Sequence, residues 1–120
     1  MNSTESNPTF IPKKTDSMLA WEWASDCIQN ELANERKVYD AKNTQCTTED
    51  QFREMLNSLG LGYCFDGQCV YASAVNSETK GLIAVRFELR NKYEQFHLSV
   101  KSNSTNDVEY LFQQILQKLN

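Results

Sequence analysis

Glycine and proline are scarce in this sequence, with four glycines and two prolines among 120 residues, and there is a single histidine. The glycines are scattered along the chain, so they do not form the glycine-rich loop that binds phosphate groups. His97 has no Gly-x-Ser-x-Gly elbow or other recognisable nucleophile pattern around it. We therefore expect a protein that is not an enzyme and that has no cofactor.

The cysteines lack the spacing of a metal site. Structural zinc sites usually take their ligands from closely spaced pairs, whereas Cys27 and Cys46 lie nineteen positions apart. Cys27 also falls within a predicted helix, where a thiol packs as a small apolar side chain. We expect no metal.

Long apolar runs are absent as well. A membrane-spanning helix requires about 18 consecutive apolar residues, and the sequence has no such stretch. The opening MNSTESNPTFIPKK also lacks the apolar core of a signal peptide. These features favour a soluble, cytoplasmic protein without a membrane partner.

The net charge of −4 is unevenly distributed, because residues 16–60 hold nine acidic against four basic side chains. Nucleic-acid affinity depends mostly on Lys and Arg that release counterions from the phosphate backbone. We therefore expect no nucleic-acid partner. An acidic field of this kind favours a basic protein partner instead.

The N-terminal half of the chain predicts two helices. Residues 1–15 are typical of a flexible arm, and residues 16–120 of a single α+β domain. Thr15-Asp16-Ser17 offers N-cap chemistry for a first helix that runs to about residue 38. Its apolar residues fall on two faces, one with Trp21, Ala24, Ile28 and Leu32 and the other with Leu19, Trp23 and Cys27.

The second and last helices have clearer signals. Thr48 and Gln51 match a capping box, and Gly60 is a typical helix end. Phe52, Met55, Leu56 and Leu59 then share one helical face. From Asn106 onward, a second apolar stripe predicts a C-terminal helix, with Val108, Leu111, Phe112, Ile115, Leu116 and Leu119 on one side.

Between these helices, alternating apolar and polar residues predict a four-stranded antiparallel meander. A turn at Asn91-Lys92 would pair Phe87 with Phe96, and Arg86 with His97. The apolar residues then share one face, and we expect all the helices to pack on it. The outer face would present Cys64, Cys69, Tyr71, Ser73, Val75, Arg86, Arg90, Tyr93, His97 and Lys101.

The stretch GYCFDGQCVY, residues 62–71, contains two cysteines that could form a redox pair. Asp66-Gly67 is favoured in a two-residue type I′ turn, which would place Cys64 opposite Cys69. In that non-hydrogen-bonded pair the Cα atoms lie about 4.5 Å apart, at the short end of the disulfide range. The two thiols are either reduced in a cytosolic hairpin or a switchable pair.

Two functional hypotheses follow. The first is a non-catalytic protein-binding module, such as an adaptor, an assembly chaperone or an inhibitor of the immunity or anti-defence type. It would contact its partner through the outer sheet face or through the acidic helical half, since aromatic and Arg side chains are enriched at interfaces. The candidate contact residues are Trp23, Tyr71, Arg86, Arg90, Tyr93 and His97. The alternative is a redox-responsive regulator that uses Cys64 and Cys69.

Overall fold

The computed structural model describes residues 7–13 and 19–120, without the side chains of residues 19–21. The elements are β1 (Phe10–Pro12), α1 (Leu19–Gln29), β2 (Asn34–Lys42), α2 (Glu49–Ser58), β3 (Gly62–Asp66), β4 (Cys69–Asn76), β5 (Leu82–Arg90), β6 (Gln95–Ser102) and α3 (Thr105–Leu119). The α+β class is therefore confirmed, with three helices and a six-stranded antiparallel sheet in the described part of the chain.

The predicted meander is present as β3, β4, β5 and β6, each strand pairing with the next. Four strands are nevertheless too few. The sheet has the order β1-β4-β5-β6-β2, and β3 shares the free edge of β4 with β1. Strand β1 comes from the segment predicted to be a flexible arm, and β2 from the segment predicted to end the first helix.

The first helix ends much earlier than predicted. Helix α1 stops at Gln29, and Glu31 takes a left-handed conformation with φ 49°. The amide of Leu32 donates to the carbonyl of Cys27, and that of Glu31 to Ile28, which together form a Schellman motif. Because glutamate occupies the position that usually holds glycine, no stop signal is visible in the sequence at this point. The predicted N-cap at residues 15–17 lies outside the described residues.

Helices α2 and α3 agree with the sequence patterns. Thr48 caps α2 in a full capping box with Gln51, and Ser104 caps α3, two residues before the predicted start. Both helices cover one sheet face, and Phe52, Phe87 and Leu111 are among the fully buried core side chains. The predicted phase of the strands is confirmed, because Ile83, Val85, Phe87, Phe96, Leu98 and Val100 are all buried.

The expectation that all helices share one face is wrong. Helix α1 lies on the outer face, the face opposite α2 and α3, where the Trp23 ring stacks on Tyr71. Ser73 and Ala84 also belong to this face and are buried. Ala24 and Ile28 point away from the sheet and are exposed, whereas the side chains of Leu19 and Trp21 lie outside the described residues.

Both predicted hairpin registers are wrong by two residues, although the faces are right. Cys64 pairs with Tyr71, and the turn consists of Gly67 and Gln68, with Gly67 at φ 63° as a type II′ turn requires. In the other hairpin, a four-residue loop over 91–94 pairs Phe87 with Leu98. A shift of two residues leaves each side chain on its original face, so the apolar pattern alone does not distinguish these registers.

Among the described helices, the longest has 15 residues, and none has the length and apolarity needed to cross a membrane.

Candidate functional site on the outer face

The open part of the outer face is shaped by a β-bulge in the edge strand β2. Val38 pairs with Leu98 and Ala41 with Phe96, so two residues of β2, Tyr39 and Asp40, stand opposite the single residue His97. Asp40 has a φ of 56°, a conformation that aspartate tolerates better than most residues. Bulges of this kind redirect side chains at sheet edges. Here the bulge places Tyr39 and Asp40 next to His97.

Five side chains, Tyr39, Asp40, Glu88, Arg90 and His97, form what we call the bulge cluster. Asp40 Oδ1 lies 3.3 Å from His97 Nε2 and 3.4 Å from Arg90 Nη1. His97 Nδ1 lies 3.5 Å from Glu88 Oε1. The ring of Tyr39 meets the imidazole edge to face, with 5.1 Å between centroids, yet 63% of Tyr39 is exposed.

A groove of about 250 Å³ runs between α1 and β2, and its lining includes Tyr39, Glu88 and His97 of the bulge cluster. Glu35 contacts three other side chains that line the groove. It accepts from Ser99 Oγ at 2.9 Å and pairs with Lys37 at 3.2 Å and Lys101 at 3.5 Å. Partial burial raises the pKa of Glu35, but the bonds from Ser99 and Lys37 and the charge of Lys101 outweigh it, so the pKa lies below its ordinary value.

Trp23, Tyr71 and Arg86, three of the predicted contact residues, come together where α1 meets the sheet. The rings of Trp23 and Tyr71 are 5.3 Å apart, and the Arg86 guanidinium lies 5.9 Å from the Tyr71 ring. A hydrogen bond with Tyr71 is the main reason that the pKa of Arg86 is raised. Trp23 is 9% exposed, so α1 itself covers a surface that we had expected a partner to cover.

His97 and Arg90 lie on the open part of the outer face as predicted, but two details were wrong. His97 pairs across the strands with Glu88, and Arg86 pairs with Ser99. Tyr93 is not on the outer face. Its ring packs against the core residue Phe52, with 6.0 Å between centroids, and its hydroxyl donates to Glu49 of α2.

The predicted redox pair is on one face but not in register. Cys64 is opposite Tyr71 and Cys69 is opposite Asp66, so the two cysteines are diagonal neighbours. Such diagonal positions are about 7–8 Å apart, beyond the usual Cα separation of a disulfide. Cys69 Sγ instead accepts from Arg86 Nη2 at 3.4 Å.

Tyr39, Asp40, Glu35 and Lys37 are site residues that the sequence pattern did not predict, because it extended the first helix to about residue 38 and indicated no strand over 39–42. One signal was available. The apolar stripe of the first helix ends at Leu32, and the β-branched and aromatic pair Val38-Tyr39 follows, which favours a strand. A bulge, in contrast, has no reliable sequence signature.

The Ser99 hydroxyl is bonded to Glu35 and not to His97, so the described outer face has no serine–histidine pair. Within the described ranges, His, Cys, Asp and Glu side chains form no group of three that could hold a metal ion.

No protein-family model matches this chain, and no curated protein is similar to it in sequence.

Proposed function

We propose that this protein is a non-catalytic protein-binding module, and that its contact surface is the open part of the outer face, over β5, β6 and β2. The observation that carries the proposal is Tyr39, a large aromatic side chain that is 63% exposed and held by a bulge and by the His97 ring. Tyrosine and arginine are the residue types most often responsible for interface affinity. Tyr39, Arg90 and the groove beside them provide both.

Of the two contact surfaces considered, the outer sheet face is favoured over the acidic helical half. The acidic residues of the first half do not share one helix, because Glu35 and Asp40 belong to β2 and are paired with basic side chains. Binding through an acidic helical half is therefore the less favoured form. The outer face offers an aromatic anchor held by its neighbours, Tyr39, whereas the large exposed apolar side chain among the described residues of α1 is the aliphatic Ile28.

The test is affinity capture from cells that express the protein, with wild type and Tyr39→Ala compared side by side. Loss of a central aromatic anchor should reduce affinity by at least about 2 kcal/mol, or roughly 30-fold. Ile11→Ala is the matched control, because Ile11 is 46% exposed and lies on β1, at the opposite edge of the sheet. A specific partner that binds Tyr39→Ala as well as wild type contradicts the proposed surface.

The redox-responsive regulator stays a prediction, and the observed register counts against it. A Cys64–Cys69 bridge would require β3 to slide by two residues along β4. Leu61, which is 1% exposed just before β3, would have to move with it. Thiol titration before and after mild oxidation tests this function. Loss of two thiols without dimer formation, together with a Cys64–Cys69 peptide in a digest, would support it.

A further inference from the structure

Basic side chains outnumber acidic ones by three to two in the lining of the groove on the outer face, and this imbalance suggests what the groove binds. Its lining includes Trp23 and Ser99, the basic residues Lys37, Arg86 and Lys101, and the acidic residues Glu35 and Glu88. At about 250 Å³, the groove is smaller than the usual site of a drug-sized ligand and suits a single side chain or a small molecule.

The first unused donor is the indole of Trp23. Its Nε1 is buried and has no hydrogen-bond partner among the residues that the structure describes. Trp23 lines the groove, and buried polar groups in proteins are normally bonded, so its unpaired donor favours a ligand that brings an acceptor. The Trp23 ring also lies 5.9 Å from the Lys101 ammonium, which adds a positive charge at the same place.

The second group that favours an acidic ligand is the guanidinium of Arg86. It contacts a tyrosine, Tyr71, and a thiol, Cys69, but forms no ion pair with any described carboxylate. Besides the tyrosine hydrogen bond, the charge of Glu88 helps to raise the pKa of Arg86, but the Glu88 carboxylate lies 3.5 Å from His97 Nδ1 and forms no ion pair with Arg86. A half-buried guanidinium has five donors in a planar fork that matches a carboxylate.

Both carboxylates that line the groove already have partners, and the partner of Glu88 is His97 Nδ1, at 3.5 Å. Glu35 is bonded to Ser99, Lys37 and Lys101. We infer that the groove binds a carboxylate group, which accepts from Trp23 Nε1 and Arg86 and is balanced by the charge of Lys101.

This inference deepens the proposed function and rests on it for the source of the carboxylate. An acidic side chain of the partner would bind in the groove, beside Tyr39. It departs from the expectation of a basic partner, which came from the net charge of residues 16–60. The local charge matters more here, because a ligand in the groove contacts Arg86 and Lys101 directly.

The direct test uses glutarate as the probe and nuclear magnetic resonance of the ¹⁵N-labelled protein at constant ionic strength. Trp21→Phe leaves one indole signal and so identifies that of Trp23. We expect glutarate to shift this signal saturably, and glutaramide, its neutral analogue, to leave it unchanged. No saturable shift with glutarate, or an equal shift with glutaramide, overturns the inference.

Two variants locate the site. Arg86→Gln should weaken glutarate binding by roughly tenfold or more, since one bidentate contact is lost. Lys42→Gln removes an exposed charge of β2 outside the groove and should leave binding unchanged. If Arg86→Gln loses the dispersed spectrum of a folded protein, Arg86→Lys keeps the charge without the planar fork and should still weaken binding. Unchanged affinity in the folded Arg86 variant overturns the inference.

Competition then distinguishes a partner's carboxylate from a free small acid. If glutarate displaces the captured partner, the source is the partner's acidic side chain. If glutarate binds without displacing it, the site takes a small acid and the partner's side chain is excluded as the source. Partner binding that depends on Tyr39, in a protein that does not bind glutarate, overturns the carboxylate site and leaves the proposed function standing.

Discussion

Replacing Gly60 with alanine should cost about 3 kcal/mol of unfolding free energy, because the change combines backbone strain with a steric clash. Gly60 ends α2 with a φ of 77° in a Schellman motif, where the Leu61 amide donates to the carbonyl of Leu56. A left-handed conformation costs a residue with a side chain about 1–2 kcal/mol. This part of the cost depends only on the local backbone.

The clash depends on tertiary structure. A Cβ atom at Gly60 would lie 2.5 Å from the carbonyl oxygen of Phe10, so β1 would have to move away. Phe10 is 7% exposed, and the burial of such a side chain is worth about 1.5–3 kcal/mol. Partial loss of that burial gives the remaining cost.

A comparison with Glu31 separates the backbone strain from the steric clash, because Glu31 occupies the same position in the Schellman motif of α1 as Gly60 does in that of α2. The difference in stability between Glu31→Ala and Glu31→Gly, measured by urea unfolding, should be about 1 kcal/mol in favour of glycine. Gly60→Ala should cost clearly more than this difference. If the two values are equal, β1 does not pack against Gly60, and the reasoning fails.

Three further predictions concern other buried or capping groups. Asn76→Asp should cost about 3 kcal/mol at pH 7, because the buried Asn76 amide donates to both oxygens of Asp107 and a second carboxylate would repel it. Urea unfolding at pH 7 and at about pH 4 should show partial recovery in acid, and equal losses at both values would contradict the explanation. Thr48→Ala should cost about 1 kcal/mol through loss of the capping box, whereas Thr48→Ser should be nearly neutral. Burial raises the pKa of Cys46, so its contribution to stability is complete below the ordinary thiol pKa and is lost as the pH rises through the folded-state value. Unfolding free energy should therefore fall more steeply above about pH 9 in wild type than in Cys46→Ala, and parallel profiles would refute this assignment.

Local sequence was sufficient to predict the elements whose signals lie within a few residues of one another. The capping box of Thr48 with Gln51, the stripe of α3 and the alternation of β5 and β6 depend on bonds and periodicities within a few residues. The faces of the predicted strands were right for the same reason, since apolar residues two positions apart must be buried together.

Long-range contacts determined what the sequence did not reveal. Strand β2 exists because β6 pairs with it, and its bulge puts Tyr39 and Asp40 beside His97. Helix α1 lies on the outer face because the sheet offers Tyr71 as a platform for Trp23. These contacts join residues 48 to 68 positions apart, so no window of neighbouring residues contains both partners.

The sequence by itself therefore determined the class, the phase of the central strands and two of the three helices. Only the tertiary structure decided the hairpin registers, the side on which α1 packs and the groove between α1 and β2. The physical reason is that periodicity determines which face of a strand is buried, whereas the energy of pairing between distant segments determines which neighbours share that face.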